Sequence, residues 1–399
     1  MKEGILTGLR ILDFTRVMAG PYATRILADF GAEVIKIQTA KTATGAEDNA
    51  AGYFSAWNRN KKSITLNMDH REARGLFCRL TALSDAVTEN FSPRVMSNWG
   101  LDYGRLKEYR PDLIMLSMSA LGQTGPRKDF VAYGPTLQAL GGLTYLTSFV
   151  PDEPLGPGYA YADPIFGLYG AIGLLAALEH RDRTGEGQQI DLSGLETVCN
   201  LIGPALLDVS ATDGKVLPRG NSPSDPAAVP HGCYRCRGID EWCVIAVFQE
   251  DEWQALCRAA GHPEWTADGR FAGFPERSRH REELDALLED WTGQRPAEEV
   301  VRTLQAAGVL AGVVQNAREL AADPQLQTRD FFVTLQHPLL GNTTADTYPF
   351  RFSDERPDQR RKEWRAAPLL GEHNDYVFGE LLGLGKEEIA CLKEDGVIG

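Results

Sequence analysis

Across its first 120 or so residues the chain alternates short apolar runs with helix-patterned stretches, and this constrains the fold more than any other feature. Arg10-Ile-Leu-Asp-Phe14, Ala32-Glu-Val-Ile-Lys-Ile37, Asp85-Ala-Val-Thr-Glu89 and Leu113-Ile-Met-Leu-Ser117 read as strands, while Pro21 to Phe30 and Arg71 to Leu83 read as helices. Strands that alternate with helices pair in parallel with the helices packed on both faces, so the fold class is α/β, a doubly wound, Rossmann-like sheet. Ligands of such sheets bind beyond the carboxyl ends of the strands. The loops after Phe14, Ile37, Glu89 and Ser117 are therefore the places to look.

Further along, Arg181-Asp-Arg-Thr-Gly-Glu-Gly-Gln188 reads as a turn into a strand at Gln189-Ile-Asp-Leu192, followed by a helix from about Leu195 to Leu207. Pro, Gly, Ser and Asn then cluster in Leu217-Pro-Arg-Gly-Asn-Ser-Pro-Ser-Asp-Pro, the composition of a linker. Strands near Tyr234 and Trp242 to Val247 come next, with helices near Glu252 to Ala260, Arg279 to Trp291 and Pro296 to Ala307. The expected organisation is a large domain begun by residues 1–212, a smaller inserted α+β domain with its linker at 213–330, and a return to the large domain at 331–399 that includes a helix near Tyr376 to Leu382.

Composition narrows the function classes. Lys plus Arg number 41 against 55 Asp plus Glu, a net charge of −14, which argues against nucleic acid or an anionic membrane as the main partner. The longest uncharged apolar run, Pro164 to Leu178, is too short to span a bilayer, and the N-terminus lacks the apolar core of a signal peptide, so a cytoplasmic protein is expected. The seven cysteines are scattered and odd in number, which does not suit a disulfide framework.

Familiar cofactor motifs are missing. Gly122-Gln-Thr-Gly125-Pro-Arg-Lys128 lacks the spacing of a phosphate loop, and no G-x-G-x-x-G follows the first strand. His231, Cys233, Cys236 and Cys243 lack the second ligand pair of a zinc site, so no metal is expected. There is no nucleophile elbow. Carboxylate chemistry remains, and the candidate is Asp163, at the head of the uncharged helical run Asp163-Pro-Ile-Phe-Gly167-Leu-Tyr-Gly170-Ala-Ile-Gly173-Leu-Leu-Ala-Ala-Leu178. Pro164 suits the first helical position, which makes Asp163 the expected N-cap and places an ionised carboxylate at the positive end of the helix dipole. Local sequence leaves two readings open, a helix cap or a nucleophile.

The chain resembles the class III (CaiB/BaiF) coenzyme A-transferase family, which includes formyl-CoA transferase, carnitine CoA-transferase and 2-methylacyl-CoA racemases. The markers run in order from Gly8-Leu-Arg-Ile-Leu-Asp-Phe-Thr-Arg-Val-Met-Ala-Gly-Pro21 through Asp29-Phe-Gly-Ala-Glu-Val-Ile-Lys-Ile37, Asn58-Arg-Asn-Lys-Lys-Ser-Ile-Thr-Leu66 and Glu89-Asn-Phe-Ser-Pro93. They continue with Asp163, Arg183-Thr-Gly-Glu-Gly-Gln-Gln-Ile-Asp191, Arg219-Gly-Asn221 and Pro368-Leu-Leu-Gly-Glu-His-Asn374.

The resemblance implies that Asp163 attacks an acyl-CoA thioester, with succinyl-CoA a common donor, and passes CoA to a carboxylic acid through an aspartyl anhydride and an aspartyl-CoA thioester. It implies coenzyme A as a substrate, no permanently bound cofactor, and an interlinked homodimer. The implied CoA contacts are Val17, Met18, Ala19, Leu66, Asn67, Asn90 and Phe91, with Phe91 stacked on adenine and Arg127 or Lys128 at the phosphates. Arg219-Gly-Asn-Ser-Pro is the implied oxyanion loop.

Two positions depart from the family pattern: Thr39, with Lys41 nearby, stands where relatives often carry Arg, and Asn98 replaces a basic residue that Arg94, one helical turn earlier, is placed to substitute. A racemase of the same fold is the alternative, but its His falls in Ala132-Tyr133-Gly134-Pro135, and no His lies between His70 and His180. A non-catalytic CoA-binding partner subunit is a second alternative, disfavoured by the presence of Asp163.

Overall fold

The computed structural model describes residues 4–149, 153–212, 216–218, 220–221, 228–353 and 364–399. Its main sheet has six parallel strands in the order β3-β2-β1-β4-β5-β6. They are β1 Arg10–Asp13, β2 Glu33–Gln38, β3 Lys62–Thr65, β4 Ala86–Glu89, β5 Ile114–Ser119 and β6 Gln189–Ser193. The strand order reverses between β1 and β4, which is where a doubly wound sheet opens a crevice.

Alternate residues of each strand serve the two faces. Leu12, Ile35, Ile64, Val87 and Met115 pack with Phe77 and Leu80 of the Arg71–Ala82 helix. Ile11, Val34, Ala86, Ile114 and Leu116 pack with Leu27 of the Ala19–Asp29 helix and with Phe166 and Leu174 of the Ala162–Thr184 helix. Burial on both faces explains why these strands read as continuous apolar runs.

Two glycines let the last two helices touch: a Cβ at Gly167 would lie 2.6 Å from the carbonyl oxygen of Ala19, and one at Gly170 would lie 3.3 Å from Ala23 Cβ. By length and composition the 23-residue Ala162–Thr184 helix is apolar enough to cross a membrane, although the run at 164–178 alone is not. Of its most apolar 18-residue window, 44% is buried, and the rest of the apolar face is left uncovered.

β3 is one of the sheet's two edge strands, and residues 371–374 and 397–399 cover it. His373 N–H donates to Ser63 O at 2.9 Å, Thr65 N–H donates to Asn374 Oδ1 at 2.9 Å, and Asn374 Nδ2 donates to Thr65 Oγ1 at 2.8 Å. Asn67 N–H donates to Val397 O at 2.9 Å. The segment Pro368 to Asn374 thus protects an exposed edge.

The chain separates into two compact units, one of residues 1–144, 156–214 and 325–399, the other of 145–155 and 215–324. The second unit has a three-stranded antiparallel sheet of β7 His231–Arg235, β8 Trp242–Ala246 and β9 Leu310–Val313. Trp253, Phe271, Leu284, Leu288 and Val300 fill its core.

Several details differ from the sequence reading. β3 was not among the expected strands, nor was the hairpin of β10 Phe332–His337 and β11 Gly341–Asp346. The helix expected from Leu195 to Leu207 is two helices, Gly194–Leu201 and Gly203–Thr212, and Asp375–Leu381 is a π-helical turn. All seven cysteines are free thiols.

Candidate active site

The loop after β1 is built on a buried ionic cluster. Asp13 ends the strand and accepts hydrogen bonds from Thr15 N–H at 2.8 Å, Thr24 Oγ1 at 2.7 Å and Lys61 Nζ at 3.0 Å. Lys61 also donates to Pro21 O at 3.0 Å and to Asn58 Oδ1 at 2.9 Å. Burial opposes ionisation of Asp13, but the charges of Lys61 and Lys36 and the Thr15 and Thr24 hydroxyls outweigh it and hold the carboxyl below its ordinary range. Burial brings Lys61 down to about 8, with Asp13 resisting and Lys36 assisting.

Above this cluster the backbone is strained. Val17 has φ +67°, a left-handed conformation that a β-branched residue rarely adopts, and its N–H donates to Glu47 Oε1 at 2.8 Å. Glu47 pairs with Lys36 at 3.4 Å, and Lys36 Nζ donates to Thr15 O at 2.6 Å. On the other side, the Asn90 amide accepts from Arg16 N–H at 2.8 Å and donates to Arg16 O at 2.9 Å, latching the loop after β4 to the loop after β1.

A cleft of about 130 Å³ opens beside these loops. It brings together five of the residues expected from sequence, Thr39, Lys41, Leu66, Asn67 and Phe91, and adds Arg16 and Trp99. The Phe91 ring lies 5.5 Å from Trp99, edge-on, with the Arg16 guanidinium 5.6 Å from its centroid. Val17, Met18, Ala19 and Asn90 shape the neighbouring loops rather than the cleft wall.

Arg94 and Asn98 are exposed on the short Arg94–Asn98 helix and do not line this cleft. Arg127 lines a second cleft of about 270 Å³ with Asp191, Ser193 and Glu196, and Lys128 is exposed outside both. Of the Arg219-Gly-Asn-Ser-Pro loop, Arg219, Ser222 and Pro223 lie outside the described residues.

Beneath Phe91, the buried Glu89 accepts its N–H at 2.8 Å. Burial raises the Glu89 carboxyl to about 7 against the Phe91 N–H and the Ser117 hydroxyl, with the charge of Asp191 adding to the rise.

The sequence reading of Asp163 as N-cap is corrected by the structure. Tyr161 is the cap position and Asp163 the second helical residue. The first helical N–H, that of Ala162, finds its acceptor in the buried side chain of Gln138, Oε1 at 3.3 Å. Pro164 remains compatible, since N–H groups of the first turn lack helical partners in any case.

The expectation of a carboxylate held firmly ionised is also revised: burial raises Asp163 to about 6. Gly134 lies against it: a Cβ there would lie 2.2 Å from Asp163 Oδ2. Tyr53 and Tyr159 stand close enough to feel its charge; burial first and Asp163 second hold both phenols above their ordinary range. The Tyr159 hydroxyl reaches Met18 Sδ at 3.7 Å, joining the head of the long helix to the loop after β1.

Tyr53, Gly134, Gln138, Tyr159, Arg16 and Trp99 were not singled out from sequence. Their only signal there was proximity to quoted motifs, which cannot distinguish a wall residue from a core one.

The fold and this site define an α/β protein with a carboxylate beside the switch-point loops and no cation bound to it among the described residues. Residues 6–374 match the model of CoA-transferase family III, and the chain belongs to that family. It is 34% identical over 98% of its length to a probable CoA-transferase of Mycobacterium tuberculosis, of which it spans 50%.

It is 32% identical to the succinyl-CoA–D-citramalate CoA-transferase of Chloroflexus aurantiacus, covering 98% of both chains. Against the formyl-CoA:oxalate CoA-transferase of Streptomyces coelicolor, identity is 32% and coverage 100% of both. The crystal structure of a CaiB/BaiF family protein from Brucella suis superposes with a TM-score of 0.86 at 31% identity, over 95% of this chain and 100% of that one. The chain is thus similar to enzymes that move CoA between acids.

Proposed function

We propose that Asp163 is the nucleophile of a CoA-transferase that moves CoA from an acyl-CoA donor to a carboxylic acid acceptor. The observation that carries this reading is a half-buried carboxylate with no ion pair or hydrogen bond from a described side chain, raised to about 6 and so ionised at neutral pH yet poorly stabilised by its surroundings. A structural aspartate in this protein looks different, as Asp13 with its four donor groups illustrates.

An Asp163 oxygen attacks the donor thioester carbonyl; the C–S bond breaks, CoA thiolate leaves, and an acyl-aspartyl anhydride remains. The thiolate then attacks the aspartyl carbonyl, releasing the donor acid and forming an aspartyl-CoA thioester. The acceptor carboxylate displaces CoA to give a second anhydride. Thiolate attack on the acceptor's acyl carbon frees the new acyl-CoA and restores Asp163. No step needs an oxidant, and thioester is exchanged for thioester throughout.

The cleft beside Phe91 suits the adenine end of CoA, with the ring offering a stacking face and Arg16 and Lys41 supplying positive charge. Gly134 and the absence of His at 132–135 count against the racemase alternative, which needs a second acid/base group at the site.

The exposed apolar stripe Leu168, Tyr169, Ile172 and Leu175 on the Ala162–Thr184 helix supports assembly as a homodimer. A cytoplasmic location suits the use of a CoA substrate. The test is intact-mass spectrometry after incubation with acyl-CoA, with and without hydroxylamine. A CoA adduct on Asp163, lost in Asp163→Ala, supports the reading, whereas substantial turnover by Asp163→Ala would refute it.

A further inference from the structure

Among the described residues, aromatic, thioether and small residues stand at or next to Asp163: Tyr53, Tyr159, Met18 against Tyr159, and Gly134. Tyr53 is 40% exposed and Tyr159 52%, so both present faces to open space, and Met18 Sδ holds the Tyr159 hydroxyl at 3.7 Å. Their phenols titrate above the ordinary range, so they stay neutral donors. Behind them the rings continue: Tyr53 lies 6.3 Å from Trp57, and Tyr22 lies 5.5 Å from Trp57.

The positive charge of Arg25 is felt at the Tyr159 phenol, and that guanidinium is already engaged. It pairs with Asp346 at 2.8 Å and lies 4.8 Å over Tyr22 and 5.5 Å over Trp57. Among the described residues no cation pairs with Asp163.

We infer that the acyl site beside Asp163 selects acids with an uncharged, apolar body, branched or aromatic monocarboxylates, over dicarboxylates, and that Tyr53, Tyr159 and Met18 set this selectivity. The inference rests on the CoA-transferase reading. Donor and acceptor acids each acylate Asp163 in turn, so both meet the same wall. A second carboxylate brought here loses water, finds no counter-charge among the described residues, and is repelled by Asp163 itself. An apolar body instead buries surface against the rings and the thioether. The succinyl donor implied by resemblance therefore fits this site poorly.

The experiment follows adduct formation on the full chain by intact-mass spectrometry, using isovaleryl-CoA, 3-phenylpropanoyl-CoA and succinyl-CoA in parallel. The apolar thioesters are expected to label Asp163 about 100-fold faster than succinyl-CoA, the range over which a built pocket discriminates. Tyr159→Arg, at an exposed position, is expected to raise the succinyl rate about tenfold and lower the phenylpropanoyl rate, with Tyr53→Arg acting in the same direction. Labelling by succinyl-CoA as fast as by the apolar thioesters overturns the selectivity and leaves CoA transfer standing. Labelling by none of the three overturns the Asp163 reading together with it.

Discussion

Asp163 Oδ2 occupies the space that a side chain at Gly134 would fill, 2.2 Å from the position of an ideal Cβ. The carboxylate fits where it does because residue 134 has no side chain. Gly134→Ala is therefore expected to move the Asp163 side chain or the 134–140 helix, and to reduce the rate of aspartyl-CoA formation by about 100-fold, since displacements near 1 Å have that effect on positioned reactants. Stopped-flow quench with mass detection measures it. Thermal melting within a few degrees of the parent would show that the loss is local.

The protonation state of Asp163 sets a pH profile. In the proposed mechanism only the ionised form attacks, and burial raises its pKa to about 6. Adduct formation at low acyl-CoA should thus be flat above pH 7 and fall about tenfold for each pH unit below 6. A profile with its break near 4 would mean an Asp163 exposed to water.

Glu89 supplies a stability prediction of opposite dependence to that of a salt-bridged acid. Its folded pKa of about 7 lies above the ordinary 4.5, so its contribution is fully present below pH 4.5 and is lost as pH rises through 7. Glu89→Gln keeps an acceptor for Phe91 N–H and carries no charge. From pH 4.5 to 8 the wild type should lose up to about 3 kcal/mol that the variant retains. Urea unfolding of both proteins at pH 5 and pH 8 measures the difference; parallel behaviour would contradict it.

Lys61→Met removes the cation that pairs directly with Asp13 and leaves a fully buried carboxylate with Lys36 as its remaining nearby cation. Breaking a buried pair in this way costs about 3–5 kcal/mol. The variant should also bind CoA more weakly, because the Asp13–Lys61 cluster underlies the Thr15 to Met18 loop. Denaturant unfolding and calorimetric CoA titration read the two effects separately.

Much of this architecture was legible because strands buried on both faces leave an unmistakable apolar signature. Ile11-Leu12 and Ile114-Met115-Leu116 have it, and both proved to lie inside the sheet. β3 did not, since an edge strand that opens with Lys62 and is sealed by distant side chains looks polar in sequence. Asp163 was legible as a candidate but not as to its place in the helix. The helix begins at Ala162, whose N–H is met by Gln138, a contact made 24 residues away that no local capping rule contains. The aromatic wall was hidden for a similar reason: Tyr53 and Tyr159 are 106 positions apart and only the fold makes them neighbours of one carboxylate.

The sealing of β3 by the chain's final segment has a consequence for biosynthesis. Ser63 N–H donates to His373 Nδ1 across 310 residues of sequence, so the ribosome completes the edge strand long before its cover exists. At about 5–20 residues per second the interval is roughly 15–60 s. During it a nascent sheet presents unpaired N–H and C=O groups to every other chain being made nearby. The charge of Lys62, the first residue of β3, discourages strand addition in that interval, and truncation before residue 371 should increase aggregation of the chain as it is synthesised.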